Sequence, residues 1–251
     1  MPGPSRAYLI AHYAFNTISL VVDSARKLGS LQAFGNPSQR PDGPWSGSQS
    51  AALTTSHPSM GQYKWGAGQY FEVNGLNLGA MSRTTGFSIC TWFAFDATTM
   101  SSRIFDFALH ALSNNIYLGR AGTSKTLKFY SSCGGGYNLP KPIINGKWRH
   151  VCVVNLGRNW SIYDDGALAA SQTATCDLTN TLLTSNYIGR SSHPLNWGGD
   201  QLLVGRVDEF RIYDRALSAR DVTTLYGYKG AESHLPAPLS LPPNAPSDFC
   251  P

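Results

Sequence analysis

The stretch Gly205-Arg-Val-Asp-Glu-Phe-Arg-Ile-Tyr-Asp-Arg-Ala-Leu-Ser-Ala-Arg-Asp-Val-Thr-Thr-Leu-Tyr226 decides the fold. Its first half predicts a strand from Arg206 to Tyr213. Its second half predicts a short helix opened by Ser218. Ser218 and Asp221 have the spacing of a capping box, in which hydroxyl and carboxylate take up the amide protons that a first helical turn leaves unbonded.

Outward from this stretch, period-two alternation dominates the chain. Over residues 87–95, Phe87, Ile89, Thr91, Phe93 and Phe95 form one largely apolar face, while Ser88, Cys90, Trp92 and Ala94 form the other. Such a segment reads as a central strand covered on at least one side by a second sheet. Similar strands are predicted near 7–15, 69–73, 103–109, 115–120, 126–131, 148–155, 160–164, 167–172, 186–190 and 202–213. Asp165-Gly166 is a two-residue hairpin signal, because both residues tolerate positive φ. Residues 36–68 read as a long excursion with one short strand. Gly134-Gly-Gly136 reads as a flexible strand connection. Asn115-Ile-Tyr-Leu-Gly-Arg120 and Asn186-Tyr-Ile-Gly-Arg190 echo each other without a fixed period. Many short strands and one capped helix predict an all-β fold, a two-sheet antiparallel β-sandwich of jelly-roll type with one short C-terminal helix. This sandwich takes residues 1–228, and the Pro-rich segment 229–251 reads as a tail or linker.

Five segments stand in an order that carries a resemblance. Ala11-His-Tyr-Ala-Phe15 looks like an opening strand, and Gly68-Gln-Tyr-Phe-Glu-Val73 like a "Y-L-E-V" strand. Gly86-Phe-Ser-Ile-Cys-Thr-Trp-Phe93, Gly146-Lys-Trp-Arg-His-Val-Cys-Val-Val154 and Trp160-Ser-Ile-Tyr-Asp-Asp-Gly-Ala-Leu168 follow the patterns "F-T-I-S-A-W-V", "W-T-H-V-A-V" and "W-x-L-Y-V-N-G-x-L". With the C-terminal stretch, the chain from about residue 8 to 228 resembles a laminin-G-like domain of the concanavalin A-like lectin/glucanase superfamily. The resemblance implies a non-enzymatic binding module for a glycan or glycoprotein within a surface or structural assembly. It also implies an extracellular or surface-associated location. Two other classes stay open: a structural domain that docks on other proteins of a larger assembly without binding sugar, and an unusual polysaccharide hydrolase or lyase.

Composition narrows the classes. Charged residues are 14% of the 251, against about 25% in a typical soluble domain. The net charge of +5 is spread along the chain with no basic run longer than Arg26-Lys27, so no nucleic-acid footprint is read. No apolar run has the length of a membrane span, and no signal peptide is visible at Met1-Pro-Gly-Pro-Ser-Arg. None of the five cysteines has metal-site or redox-motif spacing. Cys90 and Cys152 lie inside apolar strands and read as small hydrophobes. Cys133 and Cys176 lie at strand edges and are the expected disulfide pair, which leaves Cys250 in the tail.

Candidate chemistry is sparse. Glutamate occurs only at Glu72, Glu209 and Glu232, with no E-x-D-x-E spacing to supply the facing carboxyls of glycoside hydrolysis. Asp208 and Glu209 are adjacent on a strand, so they point to opposite faces and cannot form that pair by themselves. His150 reads as a structural histidine in a core strand. In the strand Asp208 shares a face with Phe210 and Ile212, and a carboxylate there needs an arginine, amides or a cation. The resemblance implies a structural calcium at Asp23 and Asp208, although Arg26 and Lys27 bring positive charge into that loop. The competing reading pairs Asp208 with Arg190 or Arg120. For ligand binding, the loop 191–200 offers His193, Asn196, Trp197 and Asp200: a ring for stacking and polar groups for sugar hydroxyls. Tyr137 and Asn138 are candidates for a second wall. Trp197 has a second reading, as a plug for the sandwich end.

Overall fold

The computed structural model describes residues 8–15, 22–23, 25, 27–54, 68–110, 113–193 and 199–228. Strands β1 (Leu9–Tyr13), β2 (Gln32–Phe34), β3 (Ser38–Arg40), β4 (Ser50–Leu53) and β5 (Tyr70–Glu72) precede helix α1 (Leu78–Ser82). Strands β6 (Phe87–Phe95), β7 (Arg103–Ala108), β8 (Ile116–Arg120), β9 (Leu127–Ser131) and β10 (Gly135–Asn138) follow. Then come β11 (Arg149–Leu156), β12 (Asn159–Asp164), β13 (Ala167–Thr173), β14 (Ser185–Ile188) and β15 (Gly205–Tyr213), and α2 (Ala219–Gly227) closes the described fold. One sheet runs β13-β12-β11-β6-β15-β4-β3, with β1 also paired to β15. The other runs β10-β9-β8-β7-β14-β5-β2. Neighbouring strands in both sheets are antiparallel, so the expected sandwich is the architecture found.

Alternation explains why the two sheets close on each other. Phe87, Ile89, Phe93 and Phe95 of β6 join Phe105 and Phe107 of β7 and Phe210 of β15 in one buried core. Phe210 meets the Phe105 and Phe107 rings edge-on at 6.0 and 6.2 Å. Trp160, 1% exposed, packs between Phe87 and Phe129. The outer face of β6 is covered too. Cys90, Cys152, Tyr163 and Tyr213 form a second, smaller core with Leu217, Val222 and Leu225, while Tyr226 stacks on Trp92 at 5.5 Å. The capping box that starts α2 is present, with Ser218 and Asp221 bonding each other's backbone amides. At the tip of the β12–β13 hairpin, Asp165 and Gly166 adopt φ of 49° and 82°, as the Asp-Gly pair requires.

Several expectations need correction. The described part of 36–68 holds two strands, β3 and β4, and β4 is buried throughout beside β15. Gly135 and Gly136 are themselves the first residues of β10, which pairs with β9 at the sheet edge. A second helix, α1, occurs; five residues are too few to display a helical period, but Asn77 caps it through Ala80. Cys90 and Cys152 are not free hydrophobes. They sit opposite each other on β6 and β11 and are joined as a disulfide. The Cys133–Cys176 bridge is present as expected, and Cys250 lies outside the described residues.

One local feature changes the chemistry of β15. Its pairing with β6 shifts register between Asp208 and Arg211, and Glu209 has φ of 52°. This is a β-bulge, which adds a residue to one strand and resets which side chains face which side. Phe210 and Ile212 therefore point into the sandwich core, whereas Asp208 lies opposite Trp92 on the outer face. The predicted shared face of Asp208 with Phe210 and Ile212 is thus overturned. Glu209 also reaches the outer side, where it meets His12 at 2.6 Å and Arg211. The two carboxylates do not point to opposite faces; both belong to one buried cluster under α2.

Candidate functional site

The pairings of the seven-stranded sheet align one rung of side chains across it. Tyr130, Tyr117, Asp106, Tyr187, Glu72 and Gln32 are successive cross-strand partners on β9, β8, β7, β14, β5 and β2. Cross-strand partners share a face, and side chains alternate along each strand. Phe129, Leu118, Phe105, Ile188 and Phe71, the next residues along, enter the core. The rung therefore points away from it. Tyr130, Tyr187 and Glu72 are partly exposed, whereas Asp106 is fully buried at the centre of the row. Tyr117 and Tyr130 stack at 5.1 Å. The Arg103 guanidinium lies 3.8 Å over Tyr117. Arg190 lies over Tyr70 and Tyr187 at 4.8 and 4.5 Å, and Phe34 stacks on Tyr70 at 4.6 Å. The outcome is a row of aromatic faces stiffened by guanidinium groups.

Asp106 organises the loop above this row. It accepts hydrogen bonds from Asn115 Nδ2 and from Ser191 Oγ at 3.4 Å, and Arg103 Nε lies 3.6 Å away. Burial raises its pKa, and the Arg103 charge opposes that rise. Arg103 Nη2 and Ser191 Oγ each donate to Asp200 Oδ2 at 2.8 Å, and His193 N donates to Ser191 Oγ at 3.2 Å. Both ends of the 191–200 loop are thereby pinned to the sheet face. Of the sequence-predicted residues, His193 and Asp200 are brought together here. Asn196 and Trp197 lie outside the described residues. Tyr137 and Asn138 are elsewhere: β10 stands four strands from β14, about 19 Å. The Tyr137 ring packs on the sandwich core and its hydroxyl donates to Ser171 O at 3.3 Å. Asn138 is exposed opposite Lys128. The structure does not make Tyr137 and Asn138 a second wall to the loop. Sequence reasoning missed Arg103, Asp106, Tyr117, Tyr130 and Tyr187. The available signal was the echo of Asn115–Arg120 and Asn186–Arg190, which places Tyr117 and Tyr187 on the outward phase of their strands.

Asp23 and Asp208 do not offer calcium a ligand set. Calcium takes six to eight oxygens. Asp23 instead faces backbone N–H groups: His12 and Ala25 donate to Oδ1 at 2.9 Å, and Lys27, Leu28 and Gly29 donate to Oδ2 at 3.1–3.2 Å. Asp23 therefore folds its own loop by collecting amides. Asp208 accepts from Glu209 N at 2.8 Å, and its buried Oδ2 has no partner. Burial, followed by the neighbouring Glu209 charge, pushes its carboxyl up to about 9, so it is neutral at pH 7. Among the described residues no group of three or more His, Cys, Asp or Glu is gathered for a metal. The alternative partners are excluded as well. Arg190 bonds Tyr70 and Arg120 bonds Ser124, Ala97 and Asn145, while the arginine beside Asp208 is Arg211. His150 is buried as expected, but its Nδ1 has no partner, and burial pulls its pKa down to about 3.

These features can be set beside known proteins. Human neuronal pentraxin-1 is 27% identical over 144 residues, covering 55% of this chain but only 33% of that protein. The chain thus spans about a third of the length of this relative. Domain 4 of AbnA, an extracellular arabinanase from Geobacillus stearothermophilus, solved with arabinotriose, superposes with a TM-score of 0.63 at 20% identity, covering 87% of this chain and 98% of that domain. A botulinum neurotoxin type C structure, described as entering cells through two ganglioside molecules, superposes with a TM-score of 0.63 at 16% identity, covering 88% of this chain and 51% of that one. At these identities the superpositions speak to the fold. A family model described as the concanavalin A-like lectin/glucanases superfamily, laminin G type, matches residues 65–223. That match spans more than half the sequence and takes in β5 through β15, so the chain belongs to the concanavalin A-like lectin/glucanases superfamily.

Proposed function

We propose that this domain is a non-catalytic carbohydrate-binding module that presents the outer face of its seven-stranded sheet to a glycan. The observation that carries this reading is the rung Tyr130–Tyr117–Asp106–Tyr187, with the 191–200 loop pinned beside it. Tyr130 and Tyr187, the partly exposed rings of the row, lie three strand spacings apart, about 14 Å, with buried Tyr117 and Asp106 between them, so each ring offers a sugar contact on its own side. Ring faces take the C–H face of a sugar, while Glu72, Asp200 and the loop residues Asn196 and Trp197 supply polar and stacking groups. The non-catalytic reading rests on the carboxylates. Asp208 and Glu209 are both buried under α2, Glu209 is committed to Arg211 and His12, and neither opens onto the sheet face. Similar structures solved with arabinotriose and with SialylT support a glycan ligand, and one solved with rat synaptotagmin II supports a protein partner as the second class. Two disulfides suit an extracellular or surface location. No described helix is long and apolar enough to cross a membrane.

A glycan array identifies the ligand, and calorimetry on variants locates it. Tyr187→Ala, Tyr130→Ala and Trp197→Ala are each expected to weaken binding about tenfold, as the loss of a ring contact implies. The two tyrosines are partly exposed, so their variants should melt within a few degrees of the wild type. Full affinity in all three, or an array without any bound glycan while the protein is folded, would sink the reading.

A further inference from the structure

Among the described residues, four buried arginines come with carboxylates. Arg103 has Asp106 and Asp200, Arg149 has Asp164, Arg206 has Asp42 and Asp96, and Arg211 has Glu209. Arg120, 1% exposed, is different. It ends β8 on the inward phase, and its guanidinium lies 4.5 Å over Phe95. Nη1 donates to Ser124 O at 2.9 Å, and Nη2 donates to Asn145 Oδ1 at 3.0 Å and Ala97 O at 3.5 Å. All three acceptors are neutral, and Nε has none. Among the described residues no carboxylate pairs with it. A charge removed from water without a counter-charge is costly, and proteins rarely keep one without a purpose.

The charge lies in the wall of a cleft of about 320 Å³, lined by Arg120, Lys125, Thr98, Asn145, Ile144 and neighbouring residues. That volume is at the lower end of small-ligand sites. Lys125 is exposed on the rim and also has no carboxylate partner among the described residues. Ile144 is 59% exposed and gives the cleft an apolar wall. Asn145 and Thr98, bonded to each other at 3.3 Å, give it a polar one. The walls are tied in place. Ile143 N donates to Lys125 O and Gly146 N to Phe95 O, both at 2.6 Å. We infer that this cleft is a second binding site, separate from the sheet-face rung, for a sugar residue bearing a carboxylate or sulfate. The oxyanion would face Arg120 and Lys125, the C–H face would lie on Ile144, and hydroxyls would reach Asn145 and Thr98.

The test is an NMR titration of the whole chain with methyl glucuronide, its uncharged methyl ester, glucose 6-sulfate and inorganic sulfate, at constant ionic strength. Methyl glucuronide or glucose 6-sulfate should shift the resonances of Thr98, Lys125 and Asn145 in a saturable way, and the ester should bind at least about tenfold more weakly. Lys125→Glu, a change on the exposed rim, should weaken the charged sugars about tenfold without moving the melting temperature. Arg120→Gln should abolish binding if it folds; if it does not, the ester comparison and Lys125→Glu carry the test. Equal affinity for glucuronide and ester, unchanged affinity in Lys125→Glu, or shifts confined to Tyr187 and Tyr130 would overturn the site. Inorganic sulfate binding as tightly as either sugar would overturn its assignment to a sugar. Because the rung residues are read out separately, failure here leaves the sheet-face proposal intact.

Discussion

Arg211→Met is expected to cost about 3–5 kcal/mol of stability, the usual consequence of leaving one member of a buried ion pair alone. Arg211 is 1% exposed and Glu209 2%. Burial by itself would raise the Glu209 pKa, but the Arg211 charge and the His12 hydrogen bond outweigh it and hold the carboxyl below its ordinary value. Without Arg211 that carboxylate keeps its His12 bond but loses the guanidinium charge beside it. The bulge would lose its anchor, and Tyr228, whose ring lies 5.3 Å from the Arg211 guanidinium, would lose a contact just beyond α2. The paired change Glu209→Gln with Arg211→Met should recover a large part of the loss, because it removes the orphaned charge. Urea unfolding of the three proteins decides this. A single variant within about 1 kcal/mol of the wild type, or a double variant no better than the single, would show that the cluster does not hold the fold as described.

Stability should also fall as pH rises above neutrality, and Asp208→Asn should abolish most of that fall. In the unfolded chain an aspartate ionises near 3.9, whereas burial and the Glu209 charge hold folded Asp208 protonated up to about 9. Between those values the folded state carries the extra proton, so stability declines with pH by up to about 1.4 kcal/mol per unit. His150 acts in the opposite sense. Burial, with the Arg211 charge, pulls it down to about 3, while an unfolded histidine titrates near 6.5. Below about 6.5 the unfolded state carries the extra proton, and stability declines as pH falls toward 3. The two slopes oppose each other between about 4 and 6.5, and above that His150 no longer offsets Asp208. Thermal melts across this range should show a plateau in mild acid and a falling alkaline arm. Asp208→Asn keeps the shape and removes the titration, so its gain should be about 4 kcal/mol larger near pH 8 than near pH 5. An alkaline arm unchanged by the substitution would refute the buried neutral carboxyl.

Both expectations arise under α2, where the sequence was least legible. Asp208 and Glu209 were placed correctly on β15, yet their faces were misassigned. A single bulged residue reverses the phase of every side chain beyond it, and no composition signal marked Glu209 for positive φ. Asp23 was legible as a loop carboxylate but not as the acceptor for five amides, because those donors converge only once the loop has closed. The stretch 191–200 was legible as a connection between two strands. The tyrosine rung beside it was not, since its members come from strands scattered between Gln32 and Tyr187.

By itself, then, the sequence determined what depends on neighbours within a few positions. Alternation set the strands, Ser218 and Asp221 set the start of α2, and Asp165-Gly166 set the hairpin. These signals are local because a side chain's face follows from the backbone period and a cap from bonds to the next turn. Tertiary structure decided what depends on sheet order. It joined Cys90 to Cys152 across 62 residues, lined up Tyr130, Tyr117, Asp106 and Tyr187 on four strands, and left Arg120 buried without a carboxylate. Lateral contacts between strands belong to the pairing and not to the strand, so residues that meet across a sheet carry no mark of each other along the chain.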